Sequence, residues 1–161
     1  MSIVEHTPAI GSGYPGLVVT DPFDGEVIGV VPQNGPAQLE QILERARTGF
    51  QLSRSLSRFS RHKILERAST LLEERAETAA DLIVREAGNT LRQGRKEVAR
   101  AVMTLSLSAD AARSDAGEVV PFDAFEGSEN RRGWFTREPL GIIVAITPYK
   151  DVVELGGHKL G

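Results

Sequence analysis

The run Ile142–Thr147 constrains this chain more than any other stretch. It is apolar without a break and rich in β-branched residues, with no polar residue alternating through it. Such a run fits a strand buried on both faces, as in a parallel sheet, better than a strand with one wet face. Pro148 and Tyr149 close it with a sharp exit. In open α/β sheets the ligand crevice opens at the carboxyl ends of strands like this one. The expectation is a mixed α/β chain whose chemistry, if it has any, begins near residue 148.

Upstream, residues 36–114 carry helical periodicity in three stretches. The first opens at Pro36, a residue suited to an early helical position. It places Leu39, Ile42, Leu43, Ala46 and Phe50 on one side. The second runs through Ile64, Leu65, Ala68, Leu71, Leu72, Ala79, Leu82 and Ile83, and ends at Gly88, a natural residue to follow a helix. The third opens at Thr90 with Gln93 three residues on, a capping box. It then buries Val98, Ala101, Val102, Leu105, Ala109 and Ala112. Each helix has one apolar stripe and needs a packing partner.

Two β regions flank these helices. Leu17–Val19 and Glu26–Val31 are separated by Asp-Pro and Asp-Gly turn chemistry, which predicts a hairpin. Val27, Ile28, Val30 and Val31 barely alternate, so something should cover the hairpin's second face. Glu118–Pro121 and Gly133–Thr136 bracket a polar loop and read as a second pair of strands. Residues 1–16, punctuated by glycine and proline, read as a flexible leader. Gly11-Ser12-Gly13 follows no strand and precedes no helix, so it is not taken as a nucleotide-binding turn.

Composition removes several functional classes. A net charge of −3 supplies no polycationic surface for nucleic acid. No apolar run approaches the ~18 residues of a membrane span, and the N-terminus has neither the basic start nor the apolar core of a signal peptide. With no cysteine, the 161 residues hold no disulfide, thiolate-zinc site or cysteine nucleophile. That composition fits a cytoplasmic protein. His6, His62 and His158 are too scattered for a metal site. Arg54, Arg58, Arg61, His62 and Lys63 form a basic run that reads as a solvated helix entrance, with phosphate binding as the sharper alternative.

The segment Glu138, Pro139, Leu140, Gly141, the apolar run, Pro148 and Tyr149 resembles the aldehyde dehydrogenase superfamily. In that family asparagine follows the aromatic residue; here the position holds Lys150. The resemblance extends in family order through Thr20–Pro32, Arg58–Arg75, Arg85–Val102 and His158–Gly161. It implies an α/β fold: the N-terminal part of an aldehyde dehydrogenase-like structure, with β-hairpin, three helices, oligomerisation-type β-arm and the first strand of a dinucleotide-binding sheet. The division expected is a leader over 1–16, hairpin, helices and arm over 17–137, and the start of an incomplete dinucleotide-binding domain over 138–161.

The family oxidises aldehydes through a cysteine thiolate, an asparagine amide holding the oxyanion, a glutamate-activated water, and hydride transfer to NAD or NADP. The resemblance places Ile146, Thr147, Pro148 and Tyr149 beside the nicotinamide ribose, and Lys150 at the oxyanion asparagine. An ammonium is a flexible point charge and a poor substitute for a fixed amide. Val152 replaces a family proline, and Glu154, Gly156 and Gly157 interrupt an apolar helix, with a propensity cost of about 1 kcal/mol per glycine. No catalytic residue is therefore assigned within the chain. The resemblance implies the N-terminal piece of an NAD(P)-dependent aldehyde dehydrogenase, inactive alone and without tight cofactor binding. One alternative is half of a split enzyme completed by a complementary dehydrogenase chain. The other is a non-catalytic interaction module. An unpaired apolar strand also predicts self-association.

Overall fold

The computed structural model describes residues 16–114 and 116–160; residues 1–15 of the leader, with His6 and Gly11–Gly13, lie outside these. The described chain opens with the expected hairpin, β1 (Leu17–Thr20) antiparallel to β2 (Val27–Val31). Local chemistry builds its turn. Asp21 Oδ1 accepts from the Phe23 N–H and Asp24 Oδ1 from the Glu26 N–H, each at 2.9 Å, and Gly25 takes a left-handed φ of 76°. Leu17, Val18, Val27, Val30 and Val31 are all exposed, so the second face has no cover among the described residues.

Four helices follow, where the periodicity predicts three. They are α1 (Pro36–Arg54), α2 (Arg58–Glu74), α3 (Ala76–Ala87) and α4 (Leu91–Ser114). The second predicted helix is broken at Arg75, whose φ of −113° and ψ of 17° leave helical geometry. No glycine or proline marks the place. α2 lies along α4 from Ala109, which meets His62, to Val102, which meets Ser69, and α3 lies on the N-terminal half of α4, where Ala80 meets Gly94. Leu71, Leu72 and Leu82 are half-buried, on the inner side as expected.

The helix ends follow their local signals. Gly88 closes α3 in the left-handed region at φ 67°, and its N–H bonds the Val84 carbonyl. Thr90 Oγ1 accepts from the Gln93 N–H at 3.3 Å, and Gln93 Oε1 accepts from the Thr90 N–H at 3.2 Å, completing the box. The core is small: Ala80, Ile83 and Val98 cluster with Leu72, Ala76, Ala79, Val102 and Val153 against them, and Ala101, Leu105 and Ala109 are buried further along α4. The α1 stripe stays at the surface, with Leu39 exposed and Ile42, Leu43, Ala46 and Phe50 half-buried.

The arm is a second hairpin, β3 (Glu118–Val120) antiparallel to β4 (Gly133–Phe135), with Val119 opposite Trp134. Both of those side chains are exposed. The last element is α5 (Val152–Leu160), which packs on α4. It is helical despite Gly156 and Gly157: packing overrides the propensity cost expected of them. Gly157 is buried against Ala101 and Thr104.

Candidate functional site

The expected first strand of a nucleotide-binding sheet is absent among the described residues. Ile142–Thr147 pairs with no strand, and the two sheets of the chain are the two hairpins. The reason is physical. A strand is held by ladder hydrogen bonds to neighbours, and an apolar run specifies burial without specifying a neighbour. The side chains meant for a core face solvent instead: Ile143 is 68% exposed and Ile146 81%.

The candidate cofactor positions share this fate. Ile146, Thr147, Pro148 and Tyr149 are exposed, Tyr149 at 92%, and Lys150 is exposed beside them. The structure brings these residues together as one continuous exposed stretch, with no facing wall. Among the described residues they do not enclose a dinucleotide.

Immediately after Lys150 the chain becomes ordered by contacts. Asp151 has a left-handed φ of 51° and its carbonyl accepts the Leu155 N–H at 2.8 Å, starting α5. Glu97 of α4 reaches across, and its Oε1 accepts the Val153 N–H at 2.9 Å. Arg100, one turn further along α4, pairs with Glu154 of α5, and His158 Nε2 lies 3.9 Å from the same carboxylate. Glu97 and Glu154 are each only 4% exposed. Sequence reasoning missed Glu97 altogether and read Glu154 as a disruption. The only local hint was a glutamate on the buried stripe of α4 beside Val98.

An apolar groove of about 340 Å³ lies alongside this junction. Leu72, Ala79, Leu82, Ile83, Val152 and Val153 line it, together with Arg75 and Glu86. None of residues 146–150 contributes to it.

The basic run is divided among internal contacts. Arg54 stacks over the Phe50 ring with 5.7 Å to the centroid. Arg61 Nη2 donates to the Ser53 carbonyl at 3.3 Å, and Lys63 pairs with Glu66, whose carboxyl it holds below its usual range. His62 is buried between α2 and α4. Among the described residues no three His, Asp or Glu side chains converge as metal ligands, and no helix is long and apolar enough to cross a membrane.

Residues 12–161 match the model of the aldehyde dehydrogenase family. The chain is 53% identical over 145 residues to a putative aldehyde-dehydrogenase-like protein, y4uC, of Sinorhizobium fredii, covering 90% of this chain and 28% of that one. It is 52% identical over 147 residues to aspartate-semialdehyde dehydrogenase 1 of Pseudomonas canavaninivorans, covering 91% of this chain and 31% of that one. In three dimensions it resembles the glyceraldehyde-3-phosphate dehydrogenase GapN of Methanocaldococcus jannaschii, solved with NADP, at a TM-score of 0.81 and 28% identity. That likeness covers 91% of this chain and 31% of GapN. The chain thus spans under a third of the length of these relatives and corresponds to their N-terminal portion. By the family match along nearly its whole length, and by a fold shared with a solved dehydrogenase, the chain belongs to the aldehyde dehydrogenase family.

Proposed function

We propose that these residues are the N-terminal part of an NAD(P)-dependent aldehyde dehydrogenase acting in the cytoplasm. The carrying observation is the family match over residues 12–161 together with the exposed apolar stretch at 142–149. In this reading Ile146–Tyr149 form one wall beside the nicotinamide ribose, and Lys150 stands where the family holds the oxyanion with asparagine. The relative solved with NADP supports a nicotinamide cofactor for the complete enzyme. The nucleophile comes from outside these residues, since the 161 contain no cysteine, and in this reading so do the remaining walls and the general base. When bound, the cofactor supplies the hydride acceptor. What the present residues contribute in this reading is position: the end of the apolar run, its sharp exit at Pro148 and a cation at Lys150.

Two measurements test this. The purified chain alone should catalyse no aldehyde-dependent reduction of NAD or NADP. A chimera should regain it, with residues 1–161 replacing the matching segment of the Pseudomonas canavaninivorans aspartate-semialdehyde dehydrogenase. At 52% identity the interfaces should be compatible. A folded chimera inactive both as built and with Lys150→Asn would overturn the reading and favour a non-catalytic interaction module. Activity recovered only by Lys150→Asn would locate the defect in the oxyanion position.

A further inference from the structure

An N-cap side chain reaches the second or third helical amide from extended backbone. Asp151, the residue before α5, stands instead in the left-handed region at φ 51°, the one non-glycine residue found there among those described. The amide of Val153, second in the helix, is taken by a carboxylate from another helix, Glu97 of α4. A negative charge at a helix N-terminus also complements the helix dipole. Glu97 lies on the buried stripe of α4 between Gly94 and Val98 and is itself almost fully buried. It therefore acts from a fixed place on the longest helix of the chain.

One turn along α4, Arg100 receives the buried carboxylate of Glu154 from α5. The two contacts cross the interface in opposite senses, one from α4 to the backbone of α5, the other from α5 to a side chain of α4. Together they fix both the start and the rotation of α5. Residues 148–151 join the unpaired stretch to this anchored point.

We propose that Glu97 is a positioning residue: it caps α5 from across the helix interface and so sets the course of Pro148–Asp151, including where Lys150 stands. Its consequence for chemistry rests on the dehydrogenase reading above; the anchoring itself does not.

Hydrogen-exchange mass spectrometry on the 161-residue chain tests the anchoring. Glu97→Ala removes the acceptor, and Glu97→Asp keeps the charge but shortens its reach. Both should speed exchange in residues 152–155 about 10- to 100-fold, the change expected on losing a hydrogen bond to a charged group. Exchange in α2 and α3 should stay at the wild-type rate. Glu97→Gln retains an acceptor and should recover most of the protection, whereas Glu97→Met, of similar volume but with no oxygen acceptor, should not; equal protection in Gln and Met would assign Glu97 a packing role and overturn the proposal. Wild-type protection of α5 in Glu97→Asp overturns the proposal, and so does acceleration spread evenly through α2–α4. Should the Ala variant fail to fold, the Asp and Gln pair decides. In the chimera, Glu97→Ala should lower kcat, with rescue by Gln. An inactive chimera counts against the dehydrogenase reading alone, because the exchange rates report on anchoring independently.

Discussion

The hydroxyl of Ser69 donates to the backbone carbonyl of Val102 at 2.9 Å, tying α2 to α4. Two turns earlier on α2, and two turns later on α4, His62 Nδ1 lies 3.0 Å from the Ala109 carbonyl. A carbonyl can only accept, so Nδ1 carries the proton. Both contacts use the second lone pair of a helical carbonyl, and both sit on the antiparallel seam of α2 and α4. Ser69→Ala should lower stability by about 0.5–1.5 kcal/mol, the usual net worth of one such bond. Urea unfolding followed by circular dichroism measures it; an unchanged midpoint would mean the hydroxyl contributes no net stability.

Gly94 is buried where α3 crosses α4, and a Cβ there would lie 2.8 Å from the Ala80 carbonyl oxygen. The obstacle is backbone, which cannot swing aside as a side chain can. Gly94→Ala should destabilise by about 1–3 kcal/mol, despite alanine's better helix propensity. A variant as stable as the parent would show that the two helices separate freely. By contrast, Gly25→Asn, in open space at the hairpin turn, should be nearly neutral because asparagine tolerates the left-handed region.

Arg95 on α4 grips Glu77 on α3 through both carboxylate oxygens, at 2.7–3.1 Å. This hydrogen bonding lowers the Glu77 pKa and raises that of Arg95. A folded-state carboxyl held below its unfolded value contributes stability above the ordinary glutamate range and loses it as pH falls through the lowered value. The difference in Tm between the parent and Glu77→Gln should therefore be largest near neutrality and close below about pH 4. A difference that persists unchanged into acid would assign the effect to packing. Because the pair is exposed and screened, the difference should also shrink in high salt.

The exposed stretch 142–149 should drive association between copies. It is apolar, exposed and without a strand partner among the described residues, and such a run is open to pairing with further strands. Ile143→Lys with Ile146→Lys should shift sedimentation toward monomer at no cost in stability, because both side chains are already in water. Limited proteolysis should cut between residues 138 and 150 and leave α5 with the body. A parent chain that sediments as a monomer and resists cleavage there would contradict this prediction.

What the sequence determined by itself is what a single turn of chain can settle. The Thr90–Gln93 box, the left-handed Gly88, Pro36 at a helix start and the Asp-Gly turn of the first hairpin all bond within a few residues. The family was also readable, because motif order survives through residues 12–161. Three features were decided only in three dimensions. An amphipathic stripe has the same period whether or not its helix breaks, so Arg75 gave no sign that α2 and α3 part there. The apolar run at 142–147 demanded burial without naming a partner, and among the described residues none supplies the ladder. Glu97 meets Val153 across 56 positions of chain, a distance no periodicity spans. A cap borrowed from another helix exists only once both helices are packed, and that is why the residue best placed to hold the candidate site went unseen in the sequence.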